Sequence, residues 1–95
     1  MTHRTNHGEL GCNFSHMGHV DPYVGGVEFD FFVTREGKEY QFICRKSDVL
    51  KQIECLTNRQ EFTVFYTLNQ DPEGETYLMC KYIMTGDSLQ QTLDI

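Results

Sequence analysis

Val27-Glu28-Phe29-Asp30-Phe31-Phe32-Val33-Thr34-Arg35-Glu36-Gly37-Lys38-Glu39-Tyr40-Gln41-Phe42-Ile43-Cys44-Arg45 is two mostly alternating runs around one dipeptide. Alternation sends successive side chains to opposite faces of a strand. Glu36-Gly37 suits a two-residue hairpin turn, because Gly37 takes positive φ without a Cβ penalty. The turn sets the register. Arg35 then faces Lys38, and counting back pairs Val33 with Tyr40, Phe31 with Phe42 and Phe29 with Cys44 on one apolar face. The other face pairs Phe32 with Gln41, Asp30 with Ile43 and Glu28 with Arg45, so it is mixed and ends in an ion pair.

Downstream, Ser47-Asp48 offers an N-cap, and Val49, Leu50, Ile53 and Leu56 form the apolar stripe of a helix of roughly three turns, with Asn58 as C-cap. Phe62, Val64, Tyr66 and Leu68 line one face of a further strand that runs into Asp71-Pro72-Glu73-Gly74, a type I turn sequence. With Gly74 left-handed, Leu68 faces Leu78, Tyr66 faces Cys80, Val64 faces Tyr82 and Phe62 faces Met84. The reverse face sets Thr63 by Ile83, Phe65 by Lys81 and Thr67 by Met79, again mixed.

The pattern predicts a mainly β (α+β) chain, two antiparallel hairpins separated by one short helix (ββαββ). Each hairpin has an apolar face to cover. Either they join in one sheet with the helix across it, or they curl into a small OB/SH3-like partly closed barrel with an N-terminal segment as a fifth strand. The barrel is preferred, because one short helix cannot cover both faces. Residues 1–26 are polar, rich in Gly, His and Asn, and read as a loosely ordered N-terminal arm with a turn at Asp21-Pro22 and a joint at Gly25-Gly26. Residues 27–95 form the single β-rich domain, closed by Gly86-Asp87-Ser88 and a helical turn in 89–95.

With 95 residues the chain makes one core. Fourteen acidic against eight basic residues give a formal charge of −6, which repels a phosphate backbone and makes nucleic acid the less favoured partner. Cys12, Cys44, Cys55 and Cys80 lie far apart and read as free thiols of a reducing compartment. No signal peptide or long apolar run appears, so a cytoplasmic location and no membrane partner are expected. The acidic, compact character suits a phage or mobile-element protein.

All four histidines fall in the first nineteen residues. Imidazole and thiolate suit zinc, so His3, His7, Cys12, His16 and His19 are the candidate metal ligands, although no finger spacing accompanies them. No other cofactor is expected. Gly86-Asp87-Ser88-Leu89 resembles the block of the GDSL esterases, whose serine is a nucleophile. That family carries the block near the start of a longer chain with an Asp-x-x-His block downstream, and here no histidine follows His19, so Ser88 lacks a base. Helix capping suits Asp87 or Ser88 better. With no phosphate loop, paired carboxylates or Cys-His dyad, no enzyme is expected.

Two binding surfaces remain. Phe32, Ile43, Phe65, Met79 and Ile83 sit on the mixed faces and read as a surface for a protein partner or a homo-oligomer. The alternative is a single-stranded nucleic-acid site built from Phe32, Arg35, Lys38, Arg45 and Lys81, with rings to stack on bases and cations for phosphates.

Overall fold

A computed structural model describes residues 7–86. Its elements run β1 (His7–Tyr23), β2 (Gly26–Arg35), β3 (Lys38–Cys44), α1 (Ser47–Glu54), β4 (Glu61–Gln70) and β5 (Thr76–Thr85). The strands close a barrel in the order β1-β2-β3-β5-β4, with β4 returning to β1. Neighbours are antiparallel except β3 and β5, which meet in parallel at Ile43 and Met79.

The β2–β3 hairpin has the register its turn dictates, from Arg35 with Lys38 back to Phe29 with Cys44. Both turn residues take positive φ, Glu36 at 51° and Gly37 at 79°, as a turn matched to the strand twist requires. Phe31, Val33, Phe42 and Cys44 are fully buried, and Arg45 Nε lies 2.7 Å from Glu28 Oε2 on the outer face. α1 adds Val49 and Ile53 to the core. Burying each of those side chains is worth about 1.5–3 kcal/mol, more than an eight-residue helix gains from its own propensity.

α1 is shorter than its apolar stripe suggests. Lys46, not Ser47 or Asp48, is the N-cap and makes no side-chain cap, while Cys55 ends the helix. Asn58 is no C-cap, because the chain is already tied to β1 there. Asn13 Nδ2 donates to Arg59 O at 2.9 Å, Arg59 N donates to Phe14 O at 2.9 Å, and Arg59 takes φ 65°. Leu56 still packs on the core from outside the helix.

The largest departure from the sequence pattern is β1. A loose arm over residues 1–26 is wrong for residues 7–23, which form the longest strand of the barrel. Its first part pairs with β4, His7 with Thr67 through Asn13 with Glu61, and its second part pairs with β2 from Asn13 with Thr34 to Tyr23 with Gly26. Asp21 and Pro22 are strand residues, and the turn falls at Val24-Gly25, where Gly25 has φ 93°. The strand hides because it is bulged twice, between Phe14 and His16 and between Met17 and Val20. Leu10, Cys12 and Phe14 keep the period of two, then each bulge shifts its phase, so no single alternation spans the strand.

The β4–β5 turn is as expected. Gly74 takes φ 88°, Gly74 N donates to Asp71 O at 2.9 Å, and Asp71 Oδ1 accepts from Glu73 N and Glu75 N. Leu68 with Leu78 and Tyr66 with Cys80 also hold. Beyond them Lys81 is an extra residue, so Phe65 meets Tyr82, Val64 meets Ile83 and Phe62 meets Thr85. That bulge exchanges the faces: Ile83 turns inward at 4% exposure and Tyr82 turns outward at 50%.

Candidate functional site

The outside of the barrel offers two walls. On the first, made by β1, β2 and β3, the His16 ring stacks on Phe32 with centroids 4.5 Å apart and planes 14° from parallel. The bulge at Ser15 points His16 outward, opposite Phe32. Beside this pair the wall is acidic. Asp30 Oδ1 accepts from His19 N at 2.7 Å and Asp30 Oδ2 from Gln41 Nε2 at 2.8 Å, which fixes the carboxylate over Gly18. A Cβ on Gly18 would run into the Asp30 carboxylate and push it off its two hydrogen bonds. Asp21, Glu28 and Asp30 line one depression with His19, Gln41 and Ile43.

On the second wall, made by β1, β4 and β5, Phe65 and Tyr82 stack with centroids 4.5 Å apart and planes 13° from parallel. The bulge at Lys81 brings Tyr82 to this face, and Tyr82 is half exposed. Its register neighbours are mostly uncharged: Thr63 opposite Gly11 and Met84, and Thr67 opposite His7 and Met79. Glu9, opposite Phe65, is the nearest acid in the ladder, and Lys81 is exposed at the bulge.

The sequence-derived surfaces are redistributed over these walls. Phe32 belongs to the first and Phe65 to the second. Ile43 and Met79 meet at the parallel seam between them, Met79 only 8% exposed. Ile83 drops out, because it is core. Among the cations, Arg35 and Lys38 sit at the β2–β3 turn, where Arg35 Nη1 donates to Gly11 O at 3.0 Å. Arg45 lies beyond the far end of β3 on Glu28, and Lys81 is across the seam, so the cations do not gather around Phe32.

The metal set does not converge either. Cys12 points into the core, where burial pushes its thiol up to about 12, while His16 faces out onto Phe32. His7 and His19 are exposed at separate points along β1, and His3 lies outside the described residues. Among the described residues no three His, Cys, Asp or Glu side chains are grouped to hold an ion. Asp87, Ser88 and the helical turn expected in 89–95 also lie outside them. Two of the rings are hidden in the sequence pattern: alternation puts Tyr82 on the core face, and His16 lies in a stretch without a clear period.

No protein-family model and no curated protein matches the chain. Among solved structures it is similar to the crystal structure of the SSB domain of a Synechococcus sp. protein. The two superpose with a TM-score of 0.66 over 88% of this chain and 99% of that domain, at 10% identity. The fold is a small OB-like barrel. The OB-like closure explains why β1 must pair with both β2 and β4, and why β3 and β5 meet in parallel. Among the described residues no helix is long and apolar enough to cross a membrane.

Proposed function

We propose that this OB-like barrel is a non-catalytic single-strand nucleic-acid binder whose bases stack on Phe65 and Tyr82. The stacked pair carries the reading: Tyr82 presents half its surface to solvent on a wall of threonines, with Lys81 beside it. Stacking on an aromatic ring is worth about 1–3 kcal/mol per base and does not depend on sequence. OB folds hold single strands in this manner, and the similar solved domain bears the name SSB. The net charge of −6 shapes the mode of binding, because few phosphates can be neutralised. Affinity then comes from rings and stays weakly dependent on salt.

Anisotropy titration of a labelled oligothymidylate at low salt tests this. Binding with a logarithmic salt slope no steeper than about −1.5, as one or two neutralised phosphates give, is the expected result. No binding of any DNA or RNA oligonucleotide at low salt would remove the proposal.

A second reading is association with a protein partner or another copy through the first wall and the Ile43–Met79 seam. The acidic depression of Asp21, Glu28 and Asp30 favours it, since those carboxylates repel phosphate and attract a cationic protein surface. Native mass of the purified protein with and without oligonucleotide separates the two. A ligand-free oligomer that ignores oligonucleotide supports the second.

A further inference from the structure

Cys44 and Cys80 stand side by side where the barrel is held by fewest rungs. β3 and β5 share one register pair, Ile43 with Met79, and the two cysteines are the next residues on each strand. Both point inward and are buried, at 0% and 1% exposure, close enough for each thiol to shift the other's proton affinity, and Cys80 Sγ also donates to Tyr82 O at 3.8 Å. Neighbouring strands lie about 4.8 Å apart, within the roughly 4.4–6.8 Å between Cα atoms that a disulfide spans. Neither thiol serves the binding reading above.

We propose that Cys44 and Cys80 are an oxidation site, a dithiol that hydrogen peroxide converts to a disulfide across the β3–β5 seam. The two thiols are not equivalent. Hydrogen bonding from Cys80 lowers the Cys44 thiol below its usual range despite burial, with the Arg45 and Lys46 backbone and the Lys46 charge assisting. Cys80 is raised by the same bond, by burial and by the Cys44 charge. Cys44 is therefore the nucleophile and Cys80 the resolving thiol. The Cys44 thiolate attacks one peroxide oxygen, the O–O bond breaks, and hydroxide leaves to become water, giving a sulfenic acid. The Cys80 sulfur then attacks the Cys44 sulfur, the S–O bond breaks, and the departing hydroxide takes the Cys80 proton. Two thiols lose two electrons to one peroxide, which ends as two waters. Access needs only local parting of a seam with one rung, a far smaller opening than global unfolding.

Cys12 is the rival partner, since it is close enough to act electrostatically on Cys80. It lies on β1 opposite Phe62 of β4, and β1 borders neither β3 nor β5, so no ladder sets it beside Cys44. Cys55 is exposed and would confuse the readout through links between molecules, so the test uses a Cys55→Ser protein.

That folded protein is treated with hydrogen peroxide, quenched and digested without reduction. The expected result is a mass loss of about 2 Da, one linked peptide pair joining Cys44 to Cys80, and a thermal midpoint raised on the order of 10 °C and restored by dithiothreitol. Cys44→Ser and Cys80→Ser should each abolish the mass loss. Should either fail to fold, the linked peptide from the parent protein carries the decision. A link through Cys12, a gain of oxygen without a link, or thiols that remain free at peroxide levels oxidising Cys55 of the unsubstituted protein would each overturn the proposal.

Discussion

The β1–β2–β3 wall and the β1–β4–β5 wall carry the same device, two rings stacked at 4.5 Å, one in an acidic and one in a mostly uncharged setting. His16 and Phe32 sit beside Asp21, Glu28 and Asp30, whereas Phe65 and Tyr82 sit among threonines with Glu9 across the ladder and Lys81 next in chain. A phosphate about 6 Å from a carboxylate in water is disfavoured by roughly 0.7 kcal/mol, so Asp21 and Asp30 together cost about 1.4 kcal/mol, Glu28 being paired with Arg45. That is as much as one stacked base returns, about 1–3 kcal/mol. Exposed rings therefore do not define a base platform by themselves, and the charge around them decides which wall can serve.

The sharpest way to break the comparison is to disturb what holds the acidic wall in shape. Gly18→Ala drives a Cβ into the Asp30 carboxylate and should cost about 2–3 kcal/mol in denaturant unfolding. In an Asp30→Ala background the same change should cost less than half as much. Equal costs would mean that the carboxylate is not pinned there. Next, Tyr82→Ala should weaken oligonucleotide binding about tenfold, or roughly 1.4 kcal/mol, and His16→Ala less than twofold. Equal losses would put the strand across both walls and remove the distinction. Glu9→Lys, opposite Phe65, should then strengthen binding several-fold at low salt and steepen the salt slope by about 0.7, because the second wall gains a phosphate contact.

A separate effect lies inside the barrel. The Cys12 thiol is raised by burial to about 12 from its ordinary value near 9. A raised folded-state value means the stabilisation is complete below pH 9 and is lost as pH climbs toward 12. Alkaline denaturation midpoints should show that loss in the parent protein and a reduced one in Cys12→Ala, compared between pH 8 and 11.

The β2–β3 hairpin was legible to the last pair, because a glycine-containing turn fixes register and both faces keep a strict period. The Asp71–Gly74 turn was legible for the same reason. Bulges break that legibility. One extra residue at Lys81 leaves Leu68–Leu78 and Tyr66–Cys80 in place but reverses the β5 residues that follow, so that alternation puts Ile83 on the surface and Tyr82 in the core, opposite to where they lie. Two bulges in β1 made its strand look patternless. The site was half legible on the same grounds: Phe65 and Phe32 were marked by lying among polar residues, while their stacking partners both stand next to a bulge.

β1 is shared by both walls, changing partner at Asn13, which sits opposite Thr34 in one ladder and Glu61 in the other. His7 finds its place only against Thr67, sixty residues later. As the chain leaves the ribosome, β1 can zip onto β2 almost at once, but its leading half, with Leu10 and Cys12, stays unmatched until β4 emerges. Ring closure is thus a late, long-range event, the kind that slows folding to milliseconds or longer and leaves a sticky strand in the open meanwhile. Gly8 and Gly11, poor strand formers within that waiting half, make it a weaker template for a stray chain during the interval.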